Sequence, residues 1–150
     1  MNKKIELLKW MLEINLNKTR DLFCKNIETC HCLYCENYIE ASKFFEPAVM
    51  EVFHALGINA SKPSHLSEFG EIENGLYLYM GSYHLVGKLI EGEYCTDSKW
   101  KDNNTARVEN FTFGFNQELT FVHDDFPKPV LQLDFEARIP WVLSEKPEDE

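Results

Sequence analysis

The chain has 150 residues, 44% of them hydrophobic and 13% aromatic, and a formal net charge of −10. That is enough apolar material for one globular domain over residues 1–150, which argues against wholesale disorder. The acidic balance argues against a nucleic-acid partner, whose affinity comes from clustered Lys and Arg, and no apolar run approaches the roughly 20 residues of a membrane helix.

The charge is uneven. Residues 1–35 carry Lys3, Lys4, Lys9, Lys18, Arg20 and Lys25 against Glu6, Glu13, Asp21 and Glu28, a net of +2, so the remainder holds −12. An acidic body favours solubility, a basic protein partner or simply a solvated surface. The N-terminus starts basic and turns apolar, but Glu6, Lys9 and Glu13 interrupt any signal-peptide core. The reading is a cytoplasmic protein. Its five cysteines, an odd number, then stay reduced or bind metal rather than form a disulfide framework.

In chain order, Trp10, Leu12, Ile14 and Leu16 alternate with polar or less apolar positions, which predicts a strand over about Lys9–Asn15, after a helical turn. Asn17–Glu28 is polar and reads as irregular. Cys24–Asn37 then packs four of the five cysteines into twelve residues. From Glu36 to Leu56, the residues Tyr38, Ala41, Phe45, Val49, Val52 and Leu56 recur at helical spacing and predict a helix whose face buries Phe45, Val49 and Val52. Gly57 stops it, and Pro47 predicts a kink or two abutting helices.

Asn59–Ser64 reads as a loop. Gly75–Ile90, rich in aromatic and branched residues, reads as one long bent strand or a tight pair, with Gly81 and Gly87 marking bulges or close approach. Tyr94–Asn104 is a loop. Val108–Phe115 reads as one strand, with Leu119–Val122 pairing to it through Asn116–Gln117. His123–Pro129 is a loop. Val130–Arg138 alternates Leu131, Leu133, Phe135 and Ala137 against Gln132, Asp134, Glu136 and Arg138, the pattern of a half-buried strand. Glu145–Glu150 is an acidic tail. The expected fold class is α+β: an antiparallel sheet of about five or six strands with one main helix, kinked or broken at Pro47, on one face.

The motif Cys32-x2-Cys35-x-Asn37-Tyr38, then Leu56-Gly57-Ile58 with Lys62-Pro63, then Tyr83-His84 and Val86-Gly87, and finally Ile139-Pro140-Trp141-Val142-Leu143 are a recognisable set. Together they resemble a family of uncharacterised bacterial proteins of about this length, from Trp10 to Leu143. The resemblance implies no activity. Its pattern has Gly-Gly-Trp-aromatic-His where this chain has Met80-Gly81-Ser82-Tyr83-His84.

Three readings compete for the cysteines. Cys24, Cys30, Cys32 and Cys35 offer four thiolates for a structural zinc, with His31 as an alternative ligand. Free cysteines also pack as small apolar residues. Cys32 and Cys35 precede a helix N-terminus, which favours thiolate and redox chemistry, although a thioredoxin-like βαβ context is absent. Tyr83 and His84 are the candidate ligand-binding residues. His84 reads either as a base in a cleft or as a packing histidine bonded to a neighbour. His54 reads as edge packing, and His123-Asp124-Asp125 as a weak cation loop. Trp100 with Lys99 and Lys101 is a small basic-aromatic spot, too small to set against the −12 elsewhere. The leading functional reading is a non-enzymatic binding module whose sheet faces a partner protein or small ligand, stapled by zinc. The alternative is a small redox or zinc-dependent enzyme using the cysteine cluster.

Overall fold

The computed structural model describes residues 2–24, 32–73, 75–95, 100–101, 104–116, 119 and 126–145. The described strands are β1 (Lys3–Leu7), β2 (Trp10–Ile14), β3 (His65–Glu73), β4 (Leu76–Glu91), β5 (Ala106–Val108), β6 (Phe111–Asn116) and β7 (Val130–Pro140). The helices are α1 (Leu16–Cys24), α2 (Leu33–Ala41) and α3 (Pro47–Leu56), with a 3-10 turn over Ser42–Phe44. Every strand pairing is antiparallel, which makes this an α+β fold.

The long strand β4 organises the sheet. Its whole first stretch, Leu76–Val86, pairs with β7. Its opposite edge is shared: β3 pairs with the first half and β2 with the last residues. The order across the sheet is β1-β2-β4-β7-β6-β5, with β3 beside β4 off that path. A β4 of 16 residues is one strand rather than a pair.

The break at Pro47 follows from backbone sterics. A residue before proline is pushed out of the helical region, and Glu46 sits at φ −55°, ψ 145°. Proline then opens α3 at its first position, where its missing N–H costs nothing. Gly57, at φ 74°, ends α3 and donates its N–H to the His54 carbonyl. The single long helix is therefore two, and Phe45 lies in the extended link between them (ψ 146°). Phe45 is half-buried, with ring contacts to Tyr38 at 5.6 Å and Phe111 at 4.9 Å, whereas Val49 and Val52 are buried as expected.

Several expectations need correction. The helical turn expected near Ile5 is strand β1, a hairpin partner of β2 turning at Leu8–Lys9, with Leu8 at φ 55°. The stretch read as irregular from Asn17 contains α1. Asn15 caps it, its Oδ1 accepting the Lys18 N–H at 3.0 Å. Thr19 and Phe23, one turn apart, bury one face, and Thr19 Oγ1 accepts the Val86 N–H of β4 at 3.0 Å. The strand expected over Val108–Phe115 is a hairpin of β5 and β6, turning at Glu109, which has φ 53°. The expected Leu119–Val122 pairing and the acidic tail fall largely outside the described residues. No helix among the described residues is long and apolar enough to cross a membrane.

Candidate functional site

Side chains on a strand alternate between faces, and here the two faces are chemically different. Tyr79, Tyr83 and Leu85 of β4, Leu133, Phe135 and Ala137 of β7, and Phe111, Phe113 and Phe115 of β6 point toward the helices and are buried. The intervening positions point away. On that second face His84 of β4, Gln132 of β7 and Asn116 of β6 stand in register in neighbouring strands. Ser82 and Asp134 form the next row. Four of these polar side chains are nearly inaccessible: His84 and Gln132 at 2%, Ser82 at 3% and Asn116 at 5%. Asp134 is half-buried and Ser64, just before β3, is exposed.

These groups form a continuous chain of hydrogen bonds. Asn116 Nδ2 donates to Asp134 Oδ2 at 2.8 Å, and Gln132 Nε2 donates to Asp134 Oδ1 at 2.8 Å. The Gln132 oxygen is therefore turned to His84, 2.9 Å from Nε2. An amide oxygen only accepts, so Nε2 carries the proton. In the neutral ring Nδ1 is then an acceptor, and it faces Ser64 Oγ at 2.9 Å. Around the row, the Phe126 ring lies 6.0 Å from His84. Gly114 lets Cys95 and Trp100 approach: a Cβ there would lie 2.7 Å from the Cys95 sulfur and 2.9 Å from the Trp100 ring. Cys95, expected in a loop, is fully buried and bridges to Asn116.

Tyr83 is not part of this site. Next to His84 in sequence, it points to the other face, and the two candidate ligand residues are separated by the sheet. Tyr83 donates its hydroxyl to the Ala60 carbonyl at 2.6 Å, so Tyr38 is the donor of the 2.7 Å Tyr38–Tyr83 bond. Burial pushes the Tyr83 and Tyr38 phenols far above their ordinary range, and for Tyr38 the neighbouring Tyr83 adds to it. Burial does the same to Tyr79, which donates to the Tyr34 carbonyl at 2.7 Å. These phenols are neutral structural bonds.

The motif that begins at Cys32 has a structural use as well. Asn37 accepts the Val142 N–H at 2.7 Å and donates to the Pro140 carbonyl at 3.2 Å. Tyr34 and Tyr77 hold Trp141 at ring distances of 5.7 and 5.1 Å. Asn37 and the Pro140–Val142 segment thus clamp α2 to the end of β7.

Of the proposed zinc ligands, Cys30 and the alternative His31 lie outside the described residues. Cys24 is exposed at the end of α1. Cys32 is the exposed N-cap of α2, its sulfur accepting the N–H of the buried Cys35 at 3.4 Å. Among the described residues no three His, Cys, Asp or Glu side chains are grouped to hold a metal. Cys24 and the exposed His54 instead line a groove of about 480 Å³ with Arg20, Phe23 and Met50. His65 Nε2 is paired with Ser67 Oγ at 2.9 Å. The His123–Asp125 loop is outside the described residues.

The polar row was only half visible in the sequence. Gln132 and Asp134 show as the polar half of an alternating strand, but their meeting with His84 depends on strand register. Ser64 carried no signal, because it closes a loop. Comparison of the chain with family models, with curated proteins and with solved structures gave no match.

Proposed function

We propose that the chain is a binding module that takes a small polar ligand, bearing hydroxyl or amide groups, on the polar face of the sheet around His84. The observation that supports this reading is the buried row Ser82, His84, Asn116 and Gln132, on the face of the sheet turned away from Tyr79, Tyr83 and Leu85. Buried polar groups must be hydrogen-bonded or they cost about 1–3 kcal/mol each, so apolar residues would stabilise this face more simply. The buried row holds its two more accessible members, the half-buried Asp134 and the exposed Ser64, in fixed positions, with Phe126 and Trp100 beside it. That chemistry recognises polyols and amides. Titration of isotope-labelled protein with monosaccharides and short peptide amides tests the reading. Saturable NMR shifts at His84, Gln132 and Asp134 support it; absence of any saturable shift there overturns it.

A second reading keeps a structural zinc on Cys24, Cys30, Cys32 and Cys35. It is supported by the exposed sulfurs of Cys24 and Cys32, which stand at the two helix ends flanking residues 25–31. A closed thiolate site would stabilise rather than catalyse. Elemental analysis of tag-free protein should find close to one zinc per chain, and a chelator should lower the melting temperature. A zinc ratio near zero removes this reading.

A further inference from the structure

Among the described residues, the exposed Ser64 hydroxyl is aimed at a histidine that other groups hold in place. The bond from Gln132 fixes the His84 proton on Nε2, and Asp134 fixes Gln132. The lone pair on Nδ1 is left directed at Ser64 Oγ, 2.9 Å away. His84 is 2% exposed, while Ser64 is at the surface. A nucleophile, a base within hydrogen-bond reach and a third group that orients the base are the parts of nucleophilic catalysis.

We propose that Ser64 is a nucleophile toward carboxylic esters, with His84 as its base and Gln132 as a positioning residue. Ser64 Oγ would form a bond to the ester carbonyl carbon. Its proton passes to His84 Nδ1, and the ester C–O bond breaks. The departing alcohol oxygen takes the proton from Nδ1, which leaves acyl-Ser64 and a neutral imidazole. Water, deprotonated by the same nitrogen, then releases the carboxylic acid and restores Ser64. No redox partner is required. The proposal rests on reading this face as a ligand site and adds a reaction to it.

A fluorophosphonate tests the first step, because it traps an activated serine: the Ser64 O–P bond forms, the P–F bond breaks and fluoride leaves. Ser67 is an internal control, since it is paired with the half-buried His65 at the same 2.9 Å. Peptide mapping of folded wild-type protein should place the label on Ser64 ahead of Ser67, and Ser64→Ala should remove it. Gln132→Leu should lower the Ser64 rate roughly 100-fold, the lower end of what a general base supplies. Gln132→Glu combined with Asp134→Asn, which keeps an acceptor oxygen for Nε2–H and a hydrogen-bonded partner behind it, should restore it. A merely structural Gln132 would change melting in both variants without changing the Ser64-to-Ser67 ratio. Folded wild-type protein with Ser64 unlabelled, or labelled no faster than Ser67, overturns the proposal. If ligands shift His84 in the titration while Ser64 stays unlabelled, the chemistry falls and the binding reading stands. If Ser64 is labelled and none of those ligands shifts His84, the reaction stands and the polyol and amide specificity falls.

Discussion

The two faces of one sheet solve opposite problems with neighbouring residues. On the helix side, Tyr83 sits at ring distances of 5.1 Å from Phe53 and 5.5 Å from Phe135, and its single polar atom is bonded to Ala60 and Tyr38. On the other side, the adjacent His84 is as well buried, yet both its ring nitrogens are bonded to side chains. The first face gains from area removed from water and from aromatic contacts. The second gives up that gain to hold a polar row. The helix face should therefore govern folding, and the proposed binding reading assigns recognition to the polar face.

The comparison predicts its largest effect on the helix side. Phe53 meets Phe45, Tyr83, Phe111 and Phe113 at 5.1 to 6.4 Å and is fully buried. Phe53→Ala should cost about 3–5 kcal/mol by chemical denaturation. Phe45→Ala should cost less, because Phe45 is half-buried in the link between α2 and α3. Equal costs would show that the link packs as tightly as the helix.

The second effect is on alkaline stability. Burial raises the phenols of Tyr38 and Tyr83 in the folded chain. The folded state therefore keeps protons that the unfolded state releases above pH ~10. With the folded values raised, this contribution is fully present below pH ~10 and is lost as the pH rises beyond it. Two such phenols give a slope of roughly 3 kcal/mol per pH unit in that window. The share of the phenol absorbance that belongs to the buried Tyr38 and Tyr83 should change only when the chain unfolds. Ionisation of all the tyrosines before the loss of structure would remove the buried Tyr38–Tyr83 pair from the account.

How far the sequence discloses these faces depends on the kind of element. The strand from Val130 is legible, because Leu131, Leu133, Phe135 and Ala137 alternate with polar neighbours and do face the core. The helix stop at Gly57 and the break at Pro47 are legible from backbone chemistry. The strand β3 was not seen: it lies beside β4 with two register shifts, Gly70 at φ 95° and Phe69 exposed at 59%, so no alternation survives. The helix α1 escaped because only Thr19 and Phe23 of it are buried. At the site, pairing Tyr83 with His84 ignored the strand period, which sends neighbours to opposite faces. Ser64 and Gln132 join His84 only through tertiary structure.

A smaller effect is expected on the polar face. Gln132→Leu removes the acceptor of His84 Nε2–H and the donor to Asp134 Oδ1. Leaving buried polar groups without these partners should cost about 1–3 kcal/mol. Thermal denaturation measures it. A gain in stability would mean that the row relaxes around an apolar side chain and that its bonds are dispensable to the fold.

The smallest effect belongs to Ser64, and it separates stability from recognition most cleanly. Ser64 is exposed, and its backbone N–H is bonded to the Ser82 carbonyl at 2.8 Å, a bond that Ser64→Ala keeps. Only the hydroxyl facing His84 Nδ1 is lost. Water has access to Ser64, so a water molecule can replace that donor. The change in stability should stay within about 0.5 kcal/mol, as for most surface substitutions. The imidazole of His84 should nevertheless register the loss, since one of its two ring nitrogens changes its bonding partner. The 15N shifts of the ring should therefore move at Nδ1 more than at Nε2, which keeps its bond to Gln132. Equal movement of both nitrogens would show that the tautomer is set by Ser64 rather than by Gln132. A large loss of stability would make the hydroxyl a structural support of the polar face and place it with the buried bonds of Tyr83.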